Sequence, residues 1–382
     1  MTSDAALVWS AIAEPDDAQA RWLVALLGHE EALAWVQAAA EDAVSATVAL
    51  AAVPSDVDRV IAALGRWTPR LAAATPERLR ELAARTGARI LTAEDPGWPA
   101  AMDDLAGDAP HALWVRGEAD LDAAWRRSVA VVGARAATAY GEHVAAEIAA
   151  VAADRGVTVI SGGAYGIDVA AHRGALAAGG TTLAVLAGGV DRLYPAGNAA
   201  LLERVIATGA VISEQPPGFA PHRQRFLSRN RLIAAARATI VVEAAHRSGA
   251  LSTARHAGAM VRTVGAVPGP VTSASSAGCL RLIKSHEAEI VVSPVDALDL
   301  AVPIGEEVEE EVPAAGGPEF ASRAERQAYG AIPRRGAPVP VLAIAAGLTD
   351  KEAKEALAGL AGRGLVRAVR GVWTRTAEAG AA

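Results

Sequence analysis

A chain of 382 residues is long for one hydrophobic core, so two or three domains are expected. Hydrophobic residues make up 52% and charged residues 21%, and the lone cysteine, Cys279, excludes an internal disulfide or a cysteine-built zinc cluster and fits a reducing compartment. The net charge of −7 argues only weakly against a nucleic-acid partner, because binding follows the local field of one surface rather than the total. The first residues lack a basic stretch followed by an apolar core, and no apolar run reaches the roughly 18 residues that span a bilayer. A soluble, cytoplasmic protein with no membrane partner is expected.

Residues 1–85 read as an N-terminal helical domain. Apolar residues recur at helical spacing through Trp22, Leu23, Leu26, Leu27, Leu33 and Val36, and again through Val57, Val60, Ile61 and Leu64. Thr75-Pro76 has the form of an N-cap followed by proline at the first helical position, opening a helix through Leu79 and Leu82. Seven of the eight tryptophans precede residue 126, at spacings that suit core packing better than ligand platforms.

From residue 88 the pattern changes. Ile90–Thr92 and Leu113–Val115 are short strands around the irregular stretch Asp95–Pro99. Strands are then expected over Val129–Val132, Val157–Ile160, Thr182–Leu186, Val211–Ser213, Thr239–Val242, Val264–Val267 and Ile290–Val292. Helices are expected around Val144–Val151, Ile167–Ala177 and Ala199–Ile206. These strands are continuous apolar runs, as expected when helices cover both faces of a sheet. The fold class is therefore α/β: a Rossmann-like, mainly parallel, doubly wound sheet over residues 86–300. Residues 301–318 carry five glutamates beside prolines and glycines and read as an acidic linker. Residues 319–382 read as a small C-terminal winged-helix domain: helices near Arg323–Tyr329, Val339–Ala346 and Asp350–Arg363, then a hairpin around Arg370-Gly371.

In such sheets ligands bind where strand ends lead into helix N-termini. The first such loop, Val132-Gly133-Ala134-Arg135, lacks the second and third glycines of the dinucleotide fingerprint and the G-K-[ST] ending of a phosphate loop. The second, Ser161-Gly162-Gly163-Ala164-Tyr165-Gly166-Ile167-Asp168, offers glycines at which backbone N–H groups can approach an anion. Asp168 and His172, four apart, suit either acid–base work or, preferably, a loop-orienting carboxylate and a packed histidine. Phe219–Arg237 is the most informative stretch: His222, Arg223, Arg225, Arg229, Arg231 and Arg237 with no acidic residue, and Phe226 among them. Cations for phosphates and a ring for a base are what single-stranded nucleic acid requires. The competing reading pairs one or two of these arginines with Glu214 or Glu243. Ser248-Gly249 precedes another helix and is a further anion-ready terminus, and Glu243, at a strand end, suits a catalytic carboxylate or a partner for an arginine.

Taken in order, these segments resemble the DNA-processing protein A family (DprA, also called Smf). The resemblance rests on Gly133-Ala134-Arg135, on Ser161–Asp168 with Ala171-His172, and on Gly188–Asp191 with Tyr194-Pro195 and Asn198. It continues through Ser213-Glu214 with Pro216–Gly218, Phe226 with Arg229-Asn230-Arg231, Val241–Ala244 with Ser248-Gly249, Val267–Gly269, and Gly278-Cys279 with Leu282-Ile283. What it implies is a homodimer without established catalysis, cofactor or metal. Such a protein binds incoming single-stranded DNA in natural transformation and loads RecA recombinase onto it. The implied DNA-binding residues are Arg135, Gly162, Gly163, Arg223, Phe226, Arg229, Asn230, Arg231, Ser248 and Gly249. Two positions depart from the pattern. Tyr165 stands where many members carry a basic or aliphatic residue, so a DNA contact is lost there or replaced by stacking, and Leu227 stands where proline usually follows the phenylalanine.

On this reading, changing Arg223, Arg229 and Arg231 to Glu abolishes binding and leaves the fold intact. The alternative is a phosphoribohydrolase-like enzyme in which Arg135 and the glycine loops hold a 5′-phosphate and Glu243 or Asp168 acts at the sugar. The P-G-G-x-G-T-x-x-E signature of that group is missing. A duplex-reading role for the tail is weakened by its balanced charge, with Lys351, Lys354 and Arg363 against Asp350, Glu352 and Glu355.

Overall fold

In the computed structural model the described residues are 3–42, 57–302, 320–333, 336–369 and 371–376. The chain forms two compact units, residues 1–308 and 309–382. The acidic linker expected over 301–318 lies, from residue 303 onward, outside the described residues.

The first unit opens with α1 (Asp4–Ile12), α2 (Ala18–Glu41), α3 (Val57–Leu71) and α4 (Pro76–Thr86). Gly28 breaks α2 with φ 79°, a backbone angle that glycine tolerates and other residues rarely adopt. Thr75 caps α4 by accepting from the Arg78 N–H, with Pro76 inside the first turn, as the sequence predicts. Asp17 caps α2 and also accepts from the Trp67 indole at 3.0 Å, which fastens α3 to the start of α2.

The separate helical domain expected over 1–85 is not found. Leu7, Trp9, Trp35 and Trp67 share one apolar cluster with Trp114, Ala184, Leu202 and Val211 of the sheet region. Eight consecutive residues of α1 are buried, which leaves it no solvent face of its own, and the front helices complete one side of the sheet. The early tryptophans are core groups: Trp9, Trp67, Trp114 and Trp125 are fully buried.

The sheet has nine strands: β1 (Arg89–Leu91), β2 (Leu113–Arg116), β3 (Ser128–Val132), β4 (Thr158–Ser161), β5 (Thr182–Val185), β6 (Ala210–Ser213), β7 (Ala238–Val241), β8 (Thr263–Ala266) and β9 (Glu289–Ile290). Their spatial order is β1-β2-β6-β5-β4-β3-β7-β8-β9. β3 to β9 run parallel, and β1 and β2 close one edge antiparallel. Between strands lie α5 (Leu121–Arg126), α6 (Ala139–Asp154), α7 (Ile167–Ala177), α8 (Ala199–Thr208), α9 (Arg223–Ala234), α10 (Ala250–Ala259), α11 (Ala277–Lys284) and, last, α12 (Pro294–Asp299). Alternate strand residues serve opposite faces. Val129 and Val131 pack with α6 and α7, whereas Ala130 and Val132 pack with α9, α10 and α11.

From β3 the chain winds outward through β4, β5 and β6, then crosses back to lay β7 against the other side of β3. That reversal opens a crevice at the C-terminal ends of β3 and β7, where ligands of doubly wound sheets bind.

His172 on α7 is wholly buried, its Nδ1 2.7 Å from the Thr182 hydroxyl, which itself donates to the Val159 carbonyl. This is the packed-histidine arrangement. Burial holds the ring neutral down to a pKa of about 4, from an ordinary value of 6.5. The unfolded chain takes up the proton near pH 6.5 and the folded one does not. This group therefore contributes a stability loss of up to about 1.4 kcal/mol per pH unit as pH falls from 6.5 toward 4, and nothing above 6.5. Urea unfolding across that window should show a shallower decline for His172→Gln than for the wild type; parallel curves would disprove the assignment.

The second unit comprises α13 (Arg323–Gly330), the short β10 (Ala337–Pro338), α14 (Val339–Ala346), α15 (Asp350–Gly362) and the hairpin β11 (Val366–Val369) and β12 (Val372–Arg375). β10 adds to the hairpin, giving the sheet order β10-β12-β11, around a core that includes Leu342, Leu357 and Leu360. Arg363, just beyond α15, is tied to Glu325.

Candidate nucleic-acid interface

The crevice holds a pocket of about 430 Å³. Its wall is assembled from the β3 loop (Gly133, Arg135), the start of α9 (Arg223, Phe226, Leu227, Arg229, Asn230) and the start of α10 (Ser248, Gly249, Ala250), with Ala164 and Asp168 on one side. No acidic residue occupies the first turn of α9 or of α10, so both positive helix ends are without a carboxylate of their own. At α9 the first turn instead carries the exposed Arg223, beside Arg225, whose charge is met by Glu14.

The arginines of the cationic stretch do different things. Arg135 and Arg223 are exposed and make no ion pair among the described residues, and the Arg135 guanidinium lies 4.7 Å from the centre of the half-buried Phe226 ring. Arg225 is buried and bound through two 2.8 Å contacts to Glu14, which also receives Arg70. Arg229 is buried at the pocket wall, donating to the carbonyls of Gly162 (3.0 Å) and Val185. Burial lowers its pKa to about 10 against the opposing pull of Asp168, and its Nε has no hydrogen-bond partner among the described residues.

Arg231 does not reach the pocket. It is 3% exposed, held by both Glu214 oxygens at 2.8 and 2.6 Å, and it donates to the carbonyls of Asp108 (2.7 Å) and Ser228 (2.9 Å). Burial works against its charge, but Glu214 outweighs that and raises its pKa. The competing internal-pair reading therefore holds for Arg231, which is a strut between β6, α9 and the segment before β2. The expectation that Arg223, Arg229 and Arg231 can all become Glu without harm to the fold is corrected accordingly, since two of the three are buried donors.

Gly162 and Gly163 are likewise buried and stand outside the lining of the pocket. A Cβ on Gly162 would lie closer than 3.0 Å to both the Arg229 guanidinium and the Asp168 carboxylate, so this glycine makes room for that pair. Gly163 has φ +70° and accepts from the Asn198 amide at 2.9 Å. Asp168 accepts from the Ala164 N–H at 3.2 Å, and burial raises its pKa against the pull of Arg229. This is the loop-orienting role. Seven of the ten expected residues thus meet at one pocket: Arg135, Arg223, Phe226, Arg229, Asn230, Ser248 and Gly249.

Residues 89–301 match the family model of the DNA recombination-mediator protein A. The chain belongs to that family. Over 313 residues it is 49% identical to a putative DNA processing protein DprA of Mycobacterium tuberculosis, covering 79% of this chain and 80% of the relative. The solved structure of DprA from Streptococcus pneumoniae is similar at 32% identity and a TM-score of 0.57, over 64% of this chain and 85% of that one. DprA from Helicobacter pylori, solved in a study of its single-stranded DNA binding mode, is similar at 27% identity and a TM-score of 0.51, over 56% of this chain and 96% of that one.

Within this member of the DprA family, Glu243 has a role the sequence does not disclose. Its carboxylate accepts from the Thr138 N–H (2.9 Å), the Thr138 hydroxyl (2.7 Å) and the Ser275 hydroxyl (3.3 Å). It thereby pins the loop that carries Arg135 to the end of β7, and Gly141 leaves the space it fills. Among the described residues this carboxylate makes no ion pair with an arginine. The Glu14–Arg225 contact that anchors α9 is likewise not legible in the sequence, because its partners are 211 residues apart and no periodicity links them.

Proposed function

We propose that this chain binds single-stranded DNA without sequence preference, with phosphates at Arg135, Arg223 and the α9 and α10 termini and a base against Phe226. The observation that carries this reading is a pair of exposed arginines that make no ion pair among the described residues, lining one crevice of an otherwise acidic chain together with a half-buried aromatic ring. Family membership supports it, as does the single-stranded DNA binding described for the Helicobacter pylori protein. We further propose that the chain acts in the cytoplasm as a homodimer, passes the strand to RecA recombinase in recombination or transformation, and catalyses no reaction of its own. The engagement of both Glu243 and Asp168 by backbone N–H groups supports that last point over the phosphoribohydrolase alternative.

The test is a titration of labelled single-stranded and duplex oligonucleotides across a salt series. Three or four neutralised phosphates on a single strand give a log–log salt slope of about −2 to −3. That slope, with tighter binding of the single strand, is the expected result. Equal affinity for duplex, or turnover of a nucleoside monophosphate that is lost in Glu243→Gln, would overturn it.

A further inference from the structure

Phenylalanine and tyrosine are scarce in this chain, three and four in 382 residues. Two of those tyrosines are spent on the surface beside the pocket. Tyr165, in the loop before α7, is 51% exposed, and Tyr194, in the loop after β5, is 47% exposed. The two loops meet: the Tyr165 ring lies so close to Gly197 that a Cβ there would be 2.6 Å from its hydroxyl and 3.4 Å from Cζ. Tyr194 in turn stands 6.0 Å, centroid to centroid, from Phe226, whose ring also faces the guanidinium groups of Arg135 and Arg229. Neither phenol hydroxyl makes a hydrogen bond among the described residues, in contrast to Tyr140, whose hydroxyl donates to the Pro268 carbonyl at 3.0 Å.

We propose that Tyr165 and Tyr194 extend the pocket into an aromatic track, running from Phe226 outward, on which successive unpaired bases of the bound strand stack. The inference rests on the reading of the pocket as a single-stranded DNA site and assigns to these two tyrosines the choice of single over double strands. The rings are half in water at a strand-end edge, next to cationic groups that hold a backbone, and every base offers a π-face of matching size. In a duplex those faces are covered by neighbouring pairs, so the track has nothing to grip. The cations alone would bind both forms. Gly197 fits this role, since a side chain there would displace Tyr165.

The experiment measures binding of two oligonucleotides of equal length, oligodeoxythymidine and an abasic strand with the same phosphates, to the wild type, Tyr165→Ala, Tyr194→Ala and the corresponding phenylalanine variants. Each alanine change should weaken oligodeoxythymidine binding by about 5-fold or more, since a stacked base is worth at least that factor. It should leave abasic binding and the salt slope unchanged, and phenylalanine should restore affinity. Equal loss on both probes would assign the tyrosines to shaping the backbone site and overturn the track. Unchanged binding of both probes by the alanine variants would overturn it as well. A wild type that binds neither probe would refute the pocket reading itself, a distinct outcome.

Discussion

Glu214→Ala is expected to destabilise the first unit by about 3–5 kcal/mol, because it leaves the Arg231 charge buried without a counterion. The pair lies inside the protein at 4% and 6% side-chain exposure, with both oxygens engaged. Arg231→Ala should cost a similar amount, since Glu214 then loses its partner and the carbonyls of Asp108 and Ser228 lose their donor. An arginine that served only to hold DNA would behave in the opposite way, with weakened binding and an unchanged unfolding midpoint. Urea denaturation followed by circular dichroism distinguishes the two. A midpoint within experimental error of the wild type for either variant would remove Arg231 from the framework and return it to the binding surface.

That distinction marks where the sequence stops being readable. The parallel sheet is written in apolar runs such as Val129–Val132 and Thr182–Val185, whose buried register depends on local composition. The Thr75-Pro76 start of α4 is equally local. The strand–helix alternation points to the strand-end loops as the ligand edge, but not to the strand order that puts the reversal beside β3. The fate of each arginine did not follow. Arg223, Arg225, Arg229 and Arg231 are chemically identical and lie within nine residues, yet helical geometry turns them to different sides of α9, and their partners come from segments remote in sequence. The front helices illustrate the same limit. Their amphipathic spacing shows that an apolar face exists, but whether it closes on itself or on Trp114 and Val211 depends on the sheet beside it. A glycine's neighbour is equally hard to read from sequence. Gly162 permits a close approach, and the group that approaches it is the Arg229 side chain.

The second large effect concerns the two arginines that remain in solvent. Arg135→Glu with Arg223→Glu should lower affinity for a single-stranded oligonucleotide at least about 100-fold, since opposing like charges costs several kcal/mol. The fold should be untouched, because both side chains are exposed and make no ion pair among the described residues. Loss of two phosphate contacts should also make the salt slope shallower by about 1.4. Reversal of Arg173 and Arg204, exposed on α7 and α8 and outside the pocket lining, changes net charge equally and serves as the comparison.

The decisive measurement is fluorescence anisotropy of one labelled single-stranded oligonucleotide, titrated at moderate salt with the wild type and these two double variants. If the crevice is the DNA site, only the Arg135/Arg223 variant loses binding while its circular dichroism stays that of the wild type. If all three proteins bind alike, or both variants weaken equally, the DNA lies elsewhere on the molecule.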